Sequence, residues 1–295
     1  MKKIVFFIHL AIIALSIALF SYTFSGLKQL HKKETFLCDL KNIVASEYKG
    51  SGIDYGFVIK KIGFLKPELL HQSQSQFPAA SLIKLPILAA VFCAVREKKI
   101  SLSEVVTIQK KDVTGGSGKL KSLSLPRKFT FAQLLELMIS SSDNTATNKV
   151  IQILGFDYIN NVFKVLGLKS TTLARKMMDF SQRKKGVENY TSAEDIAYLL
   201  ERIYRGRLVN EKLSRLAISF LKKQKVNDRL PRYLPTEVIV AHKTGLERGV
   251  VHDAGIVFTP NGDYLICVLV KGGKSYAQAK KFIAQLSLLA YNLYQ

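Results

Sequence analysis

The feature that most constrains this fold is a change of hydrophobic period along the chain. From Glu237 onward apolar residues recur at every second position, over Glu237 to His242, His252 to Phe258 and Tyr264 to Lys271, the last two joined by a turn at Asn261-Gly262. That alternation suits strands with one buried face. A similar run, Tyr55 to Ile62, lies near the other end, followed by a turn near Gly63 and a second strand from roughly Pro67 to Gln74. Between these ends the spacing is helical. Thr130 with Gln133 forms a capping box before Phe131 to Ile139, and a second helix runs to Leu154 with Gly155 as its terminator. Tyr158 to Leu166 is ended by Gly167, Ala193 to Tyr204 is opened by Ser192 with Asp195, and Glu211 to Lys223 is opened by Asn210. The pattern predicts an α+β fold: one antiparallel sheet from both chain ends, flanked by terminal helices (Glu34 to Tyr48 and Lys280 to Tyr294), with an all-helical insert. The sheet lobe covers about 34–77 and 235–295 and the helical lobe about 78–234. A small-molecule site is expected in the seam between them.

A chain of 295 residues with 48% hydrophobic content can bury the core this requires. Its net charge of +22 suits an anionic environment such as phospholipid headgroups, wall polymers or nucleic acid. The lysines, however, are spread in ones and twos with no basic block interleaved with aromatics, which argues for a solvated basic surface and against a nucleic-acid face. Cys38, Cys93 and Cys267 are odd in number and widely spaced, without a zinc-ligand pattern or a disulfide framework. Cys93 and Cys267 lie in apolar runs and read as core residues. No metal or other cofactor is expected, and the protein is expected to be a monomer.

Ile4 to Phe24 is largely apolar behind Lys2 and Lys3. As a helix at ~1.5 Å per residue it just spans a hydrocarbon core of ~30 Å. It is long for a signal-peptide core and no clean A-x-A site follows, so residues 1–26 read as an uncleaved signal anchor ahead of a cleaved secretory peptide. Residues 27–33 form a basic linker. Both readings place the domain at 34–295 outside the cytoplasm, in the cell envelope; the uncleaved one keeps a membrane contact through the N-terminal segment and the cleaved one leaves the domain secreted.

Three short motifs carry chemistry. Ser81 and Lys84 stand three residues apart at the start of an apolar helix, so hydroxyl and amine share a face. A desolvated lysine can take the serine proton, and the helix N-terminus favours the negative charge that develops. Alone, the pair reads first as a helix cap and a surface lysine. Pro86, two residues on, is expected to kink that helix. Ser142-Asp143-Asn144 falls at a corner between two helices, where Asp143 also suits an N-cap. Lys243-Thr244-Gly245 ends a predicted strand, where a cation and a hydroxyl suit a carboxylate and the glycine lets a substrate backbone approach. Two other stretches lack sustained periodicity: Thr114 to Gly118, a glycine-rich flexible loop, and Ser170 to Asn189, whose length marks it as functional.

In this order the three motifs resemble those of the penicillin-recognising serine hydrolases, most closely the class A β-lactamases. The likeness spans roughly Glu34 to Gln295, including Met138 to Asn148 and His252 to Val257. It implies that Ser81 is the acylated nucleophile, Lys84 its base or proton relay, and Ser142 the proton carrier to the leaving nitrogen. Asn144 would bind the substrate amide, Lys243 and Thr244 its carboxylate, and the backbone N–H groups of Ser81 and Leu246 would form the oxyanion hole. The implied substrate is a β-lactam or, alternatively, an acyl-D-Ala-D-Ala peptide of the cell wall; a non-catalytic wall-binding homologue is a third reading. The chain departs from the class A pattern at Arg-x-Glu-x-x-Leu-Asn, whose glutamate activates the deacylating water. Here the stretch reads Arg175-Lys176-Met177-Met178-Asp179-Phe180-Ser181, so Met177 holds the glutamate position and Ser181 that of the asparagine. Asp179 and Glu188 are the neighbouring carboxylates that would have to substitute.

Overall fold

The computed structural model describes residues 30–63, 69–273 and 275–295. The apolar segment Ile4 to Phe24 lies outside them, and among the described residues no helix is long and apolar enough to cross a membrane. Helix α1 covers residues 30–43 and runs into a π-turn at Val44–Tyr48. Strands β1 (Ile53–Lys61), β2 (Leu69–His71) and β3 (Phe77–Pro78) follow, then a 3₁₀ turn at Ala80–Ile83 and helix α2 (Lys84–Arg96). The insert continues with β4 (Val105–Ile108), β5 (Arg127–Thr130), α3 (Phe131–Ser140), α4 (Asn144–Leu154), α5 (Phe156–Val165), α6 (Phe180–Lys184), β6 (Tyr190–Thr191), α7 (Ala193–Tyr204) and α8 (Glu211–Lys222). The chain closes with β7 (Ile239–Glu247), β8 (Val250–Phe258), β9 (Tyr264–Gly272) and α9 (Tyr276–Tyr294).

The five-stranded sheet has the order β2-β1-β9-β8-β7, so the two chain ends interleave, β1 pairing with β9 along its whole length. Alternation decides the layers. On β9, Leu265, Cys267 and Leu269 join the core beneath the insert, while Tyr264, Ile266, Val268 and Val270 join a second core under α1 and α9. Each fully buried aliphatic side chain of this kind stabilises the fold by about 1.5–3 kcal/mol. Cys93 and Cys267 are buried and Cys38 is exposed, all as free thiols.

The insert is helical apart from two short antiparallel pairings, β3 with β6 and β4 with β5. Val105–Ile108, rich in β-branched residues, suits a strand but is too short to announce one by alternation. Pro86 falls in the first turn of α2, where an N–H has no partner within the helix, so it does not interrupt α2; the change of geometry comes earlier, where the 3₁₀ turn passes into the α-helix. Lys243-Thr244-Gly245 lies inside β7 and not beyond its end, because Lys243, Thr244 and Gly245 pair with Ala254, Asp253 and His252 of β8.

Candidate active site

Three chain reversals meet where α2, the α3–α4 corner and β7 converge. In the 3₁₀ turn Ala80 has φ +42°, between α3 and α4 Ser142 has φ +55°, and Met178 on the long loop has φ +64°. Left-handed backbone is costly for residues with a β-carbon, about 1–3 kcal/mol each, and gathers where function requires a particular side-chain aim. The turn places Ser81 at the head of α2, with the Lys84 side chain fully buried one turn on.

The Lys84 amine is the hub. Its Nζ lies 3.2 Å from Ser81 Oγ, 3.1 Å from Ser142 Oγ, 2.7 Å from the Ser142 carbonyl and 2.8 Å from Asn144 Oδ1. Burial holds its pKa well below the usual lysine range, and the nearby charge of Lys243 pushes the same way; Asp143 opposes them. An amine so placed is shifted toward its neutral form and has two hydroxyls within reach. From β7, Lys243 Nζ donates to Ser142 Oγ at 3.0 Å and to the Thr244 carbonyl at 2.8 Å. Burial lowers its pKa to about 7, with Asp253 opposing and Arg229 adding to the shift. Ser142 Oγ thus bridges two lysines, an arrangement able to pass a proton in either direction.

Asp143 builds the corner rather than the chemistry. It caps α4 by accepting from Ala146 N at 3.0 Å, and its other oxygen accepts from Lys119 N at 2.7 Å and Leu120 N at 2.9 Å. The glycine-rich segment is accordingly packed and not a free connection. Asn144 donates from Nδ2 to the Gly115 carbonyl at 2.9 Å and from its backbone to the Ser117 carbonyl at 3.0 Å. A β-carbon on Gly116 would lie 2.7 Å from both Asn144 Nδ2 and Met178 Sδ, and one on Gly118 would collide with Asp143.

All the residues singled out in the sequence lie in this region, though not all in one network. Ser81, Lys84, Ser142, Asn144 and Lys243 share hydrogen bonds. Thr244 joins only through its carbonyl. Gly245 continues β7 beside the turn, and Leu246 follows with its side chain half exposed. The two carboxylates offered as replacements for the missing glutamate are engaged elsewhere. Asp179 caps α6 and accepts from the Ser181 hydroxyl, while Glu188 is ion-paired to Arg175 and Arg183.

Two further residues were not foreseen. Asn148, one turn after Asn144 on α4, holds the Met177 backbone from both sides, Oδ1 accepting from Met177 N at 2.8 Å and Nδ2 donating to Met177 O at 3.1 Å. Its signals in the sequence are its i, i+4 spacing from Asn144 and its place at the end of the Met138 to Asn148 run that carries the resemblance. Arg229 is 2% exposed; its Nη1 is ion-paired at 3.5 Å to Asp228 Oδ1, its Nε makes no hydrogen bond among the described residues, and its charge reaches Lys243. It lies in an aperiodic stretch and gave no signal. Among the described residues no group of three or more His, Cys, Asp or Glu is placed to hold a metal ion.

Residues 38–294 match the model of the β-lactamase enzyme family. The chain belongs to that family. It is 25% identical over 270 residues to the extended-spectrum β-lactamase PER-1 of Pseudomonas aeruginosa, covering 85% of this chain and 86% of that one. Among solved structures it is similar to a β-lactamase from Sphaerobacter thermophilus, at 29% identity with a TM-score of 0.79, covering 86% and 95% of the two chains. It is also similar to PBP-A, solved in one case as the acyl-enzyme of a point mutant with penicillin G, at 30% identity with a TM-score of 0.77, covering 85% and 94%.

Proposed function

We propose that this β-lactamase-family protein is a serine hydrolase that opens the β-lactam amide through an acyl-enzyme on Ser81. The observation that carries the reading is Lys84: fully buried, its pKa depressed, 3.2 Å from Ser81 Oγ and 3.1 Å from Ser142 Oγ. Lys84 takes the Ser81 proton as Oγ attacks the carbonyl, and Ser142, between the two lysines, hands a proton to the departing nitrogen. Backbone N–H groups of Ser81 and Leu246 receive the oxyanion, contributing a few kcal/mol each. Lys243 and Thr244 hold the substrate carboxylate, Gly245 leaves room for its backbone, and Asn144 holds its amide. Relatives named as β-lactamases weigh for a β-lactam over a wall peptide as substrate.

Deacylation is the slow step in this reading. With Met177 pinned by Asn148, and Asp179 and Glu188 engaged elsewhere, no carboxylate joins the Lys84 hydrogen-bond network among the described residues. Water must then be activated by the Lys84–Ser142 pair. We also read 34–77 with 235–295 and 78–234 as the two lobes of a monomeric catalytic domain, and residues 1–26 as its membrane anchor or export signal in the cell envelope. The test is mass spectrometry of the protein with a penicillin. A covalent adduct that forms, clears slowly and is absent in Ser81→Ala is expected; no adduct and no turnover would contradict the reading.

A further inference from the structure

The sequence scatters its lysines in ones and twos, but the fold gathers a set of them around the mouth of the site. Two stretches meet there. Residues 115–121 hold Asn144 and Asp143 through the Gly115 and Ser117 carbonyls and the Lys119 and Leu120 N–H groups. Opposite them the long loop brings Met178 against Gly116, and Arg175 and Arg183 tie that loop to Glu247 at the end of β7. Residues 115–121, 175–188 and 246–249 together carry eight Lys and Arg against three Asp and Glu, so the mouth is strongly positive. Its carboxylates are already engaged. Asp179 caps α6, Glu188 and Glu247 close a ring of ion pairs with Arg175 and Arg183, and neighbouring Asp143 is buried against N–H groups. Lys119, Lys121, Lys176, Lys184, Lys185 and Arg248 remain, all exposed and none ion-paired among the described residues. Lys110, Lys111, Arg127 and Lys128, exposed as well, continue the positive surface on the side of the first stretch, where Asp112 is paired with Lys149. Met178, Phe180 and Leu246, 37%, 44% and 46% exposed, stand among the cations, a mixture that marks an interaction surface.

We propose that the mouth of this site binds a linear, phosphodiester-linked polyanion of the cell wall, laid across it between Lys119 and Lys121 on one rim and Lys184 and Lys185 on the other. Five of the six unpaired cations are lysines, which take phosphate as point charges in any orientation, whereas a carboxylate is matched best by the fork of an arginine. Basic and apolar side chains together also suit an anionic bilayer. The topology decides against that, a choice that rests on the proposed reading of residues 1–26 as a membrane anchor. Lys32, Thr35 and Phe36 of α1 line a small cavity with Leu289, Asn292 and Leu293 of α9. The end of α9 lies in turn by the β8–β9 connection, where Asn261 Nδ2 donates to the Gln295 carbonyl at 3.4 Å. This is the end of the sheet at which Ile239 pairs with Phe258. Glu247, paired with Val250, stands eight residues further along β7, about 27 Å at ~3.4 Å per residue. The chain from the anchor thus joins the domain at one end of the sheet while the mouth opens at the other, away from the membrane and toward the wall.

The experiment measures binding of fluorescently labelled poly(glycerol phosphate) to the full chain in a non-ionic detergent, over a range of salt. A mouth triple, Lys119→Gln with Lys184→Gln and Lys185→Gln, is compared with a remote triple of equal charge, Lys41→Gln on α1, Lys164→Gln on α5 and Lys212→Gln on α8. All six lysines are exposed, so both triples should fold. The mouth triple is expected to weaken binding at least ~10-fold and to lower the slope of log Kd against log salt by about 2, the remote triple to change affinity less than ~2-fold. Equal losses in the two triples, or no binding by the wild type, would overturn the site. Equal affinity for polygalacturonate would overturn the choice of phosphate. Partition to phosphatidylglycerol vesicles that falls in the mouth triple as far as polymer binding does would assign the mouth to the bilayer instead; no partition of the wild type would contradict the anchor and leave polymer binding to decide. Binding is read without turnover, so a protein that binds the polymer and forms no adduct with a penicillin contradicts the Ser81 reading alone.

Discussion

On the proposed reading, substituting Met177 by glutamate adds a carboxylate that the Lys84 hydrogen-bond network does not contain among the described residues, at a backbone position held in place. The backbone of residue 177 is fixed by Asn148 at 2.8 and 3.1 Å, through bonds that use only main-chain atoms and so survive the change. Asn148 lies one helical turn from Asn144, whose Oδ1 is 2.8 Å from the Lys84 amine. Neighbours at that spacing are about 5–6 Å apart, within reach of a glutamate side chain or of one intervening water. A positioned general base is worth ~10²–10⁴ in rate, or about 3–5 kcal/mol at ~1.4 kcal/mol per decade. Two effects oppose this. Met177 is buried, so a carboxylate there is stable only when paired, and pairing with Lys84 raises the pKa of the amine and slows acylation. The expected result for Met177→Glu is therefore modestly slower acylation and an adduct lifetime shortened at least ~10²-fold. Stopped-flow acylation combined with mass spectrometry of the quenched protein separates the two steps. An adduct lifetime within a few-fold of wild type, with acylation and melting temperature intact, would refute the view that deacylation is limited by the missing base.

Two other outcomes follow from the site. The kcat/KM for a substrate bearing a carboxylate should fall as pH rises through about 7, because Lys243 is ammonium below that value and neutral above it; Lys243→Arg, which stays charged, should lose this limb of the pH profile. Asp143→Ala should lower stability by about 3–7 kcal/mol, measured by denaturant unfolding. It removes a helix cap worth about 1 kcal/mol and strands the Lys119 and Leu120 N–H groups at about 1–3 kcal/mol each.

Local chemistry was readable in the sequence and long-range pairing was not. The caps of α3, α7 and α8 were visible because Thr130, Ser192 and Asn210 bond within three residues of themselves. The extent of β7 was hidden because its polar triplet is held in the sheet by β8, and no local pattern carries that pairing. Ser81, Lys84, Ser142, Asn144 and Lys243 were found because each sits at a motif of fixed spacing. Asn148, Arg229 and the Arg175–Glu247 contact, 72 residues apart in sequence, depend on which distant segments meet. The same holds for Asp179 and Glu188, plausible bases by proximity in the chain until the cap of α6 and the ring of arginines engage them.

The most direct test of the central claim follows the mass of the intact protein over time after mixing with a penicillin, in the wild type and in Ser81→Ala. An adduct of one penicillin on the wild type, persisting well beyond its formation and absent from Ser81→Ala, is the predicted result. An adduct of equal yield on Ser81→Ala, or none on the wild-type protein together with no hydrolysis, would contradict the assignment of Ser81 as the nucleophile.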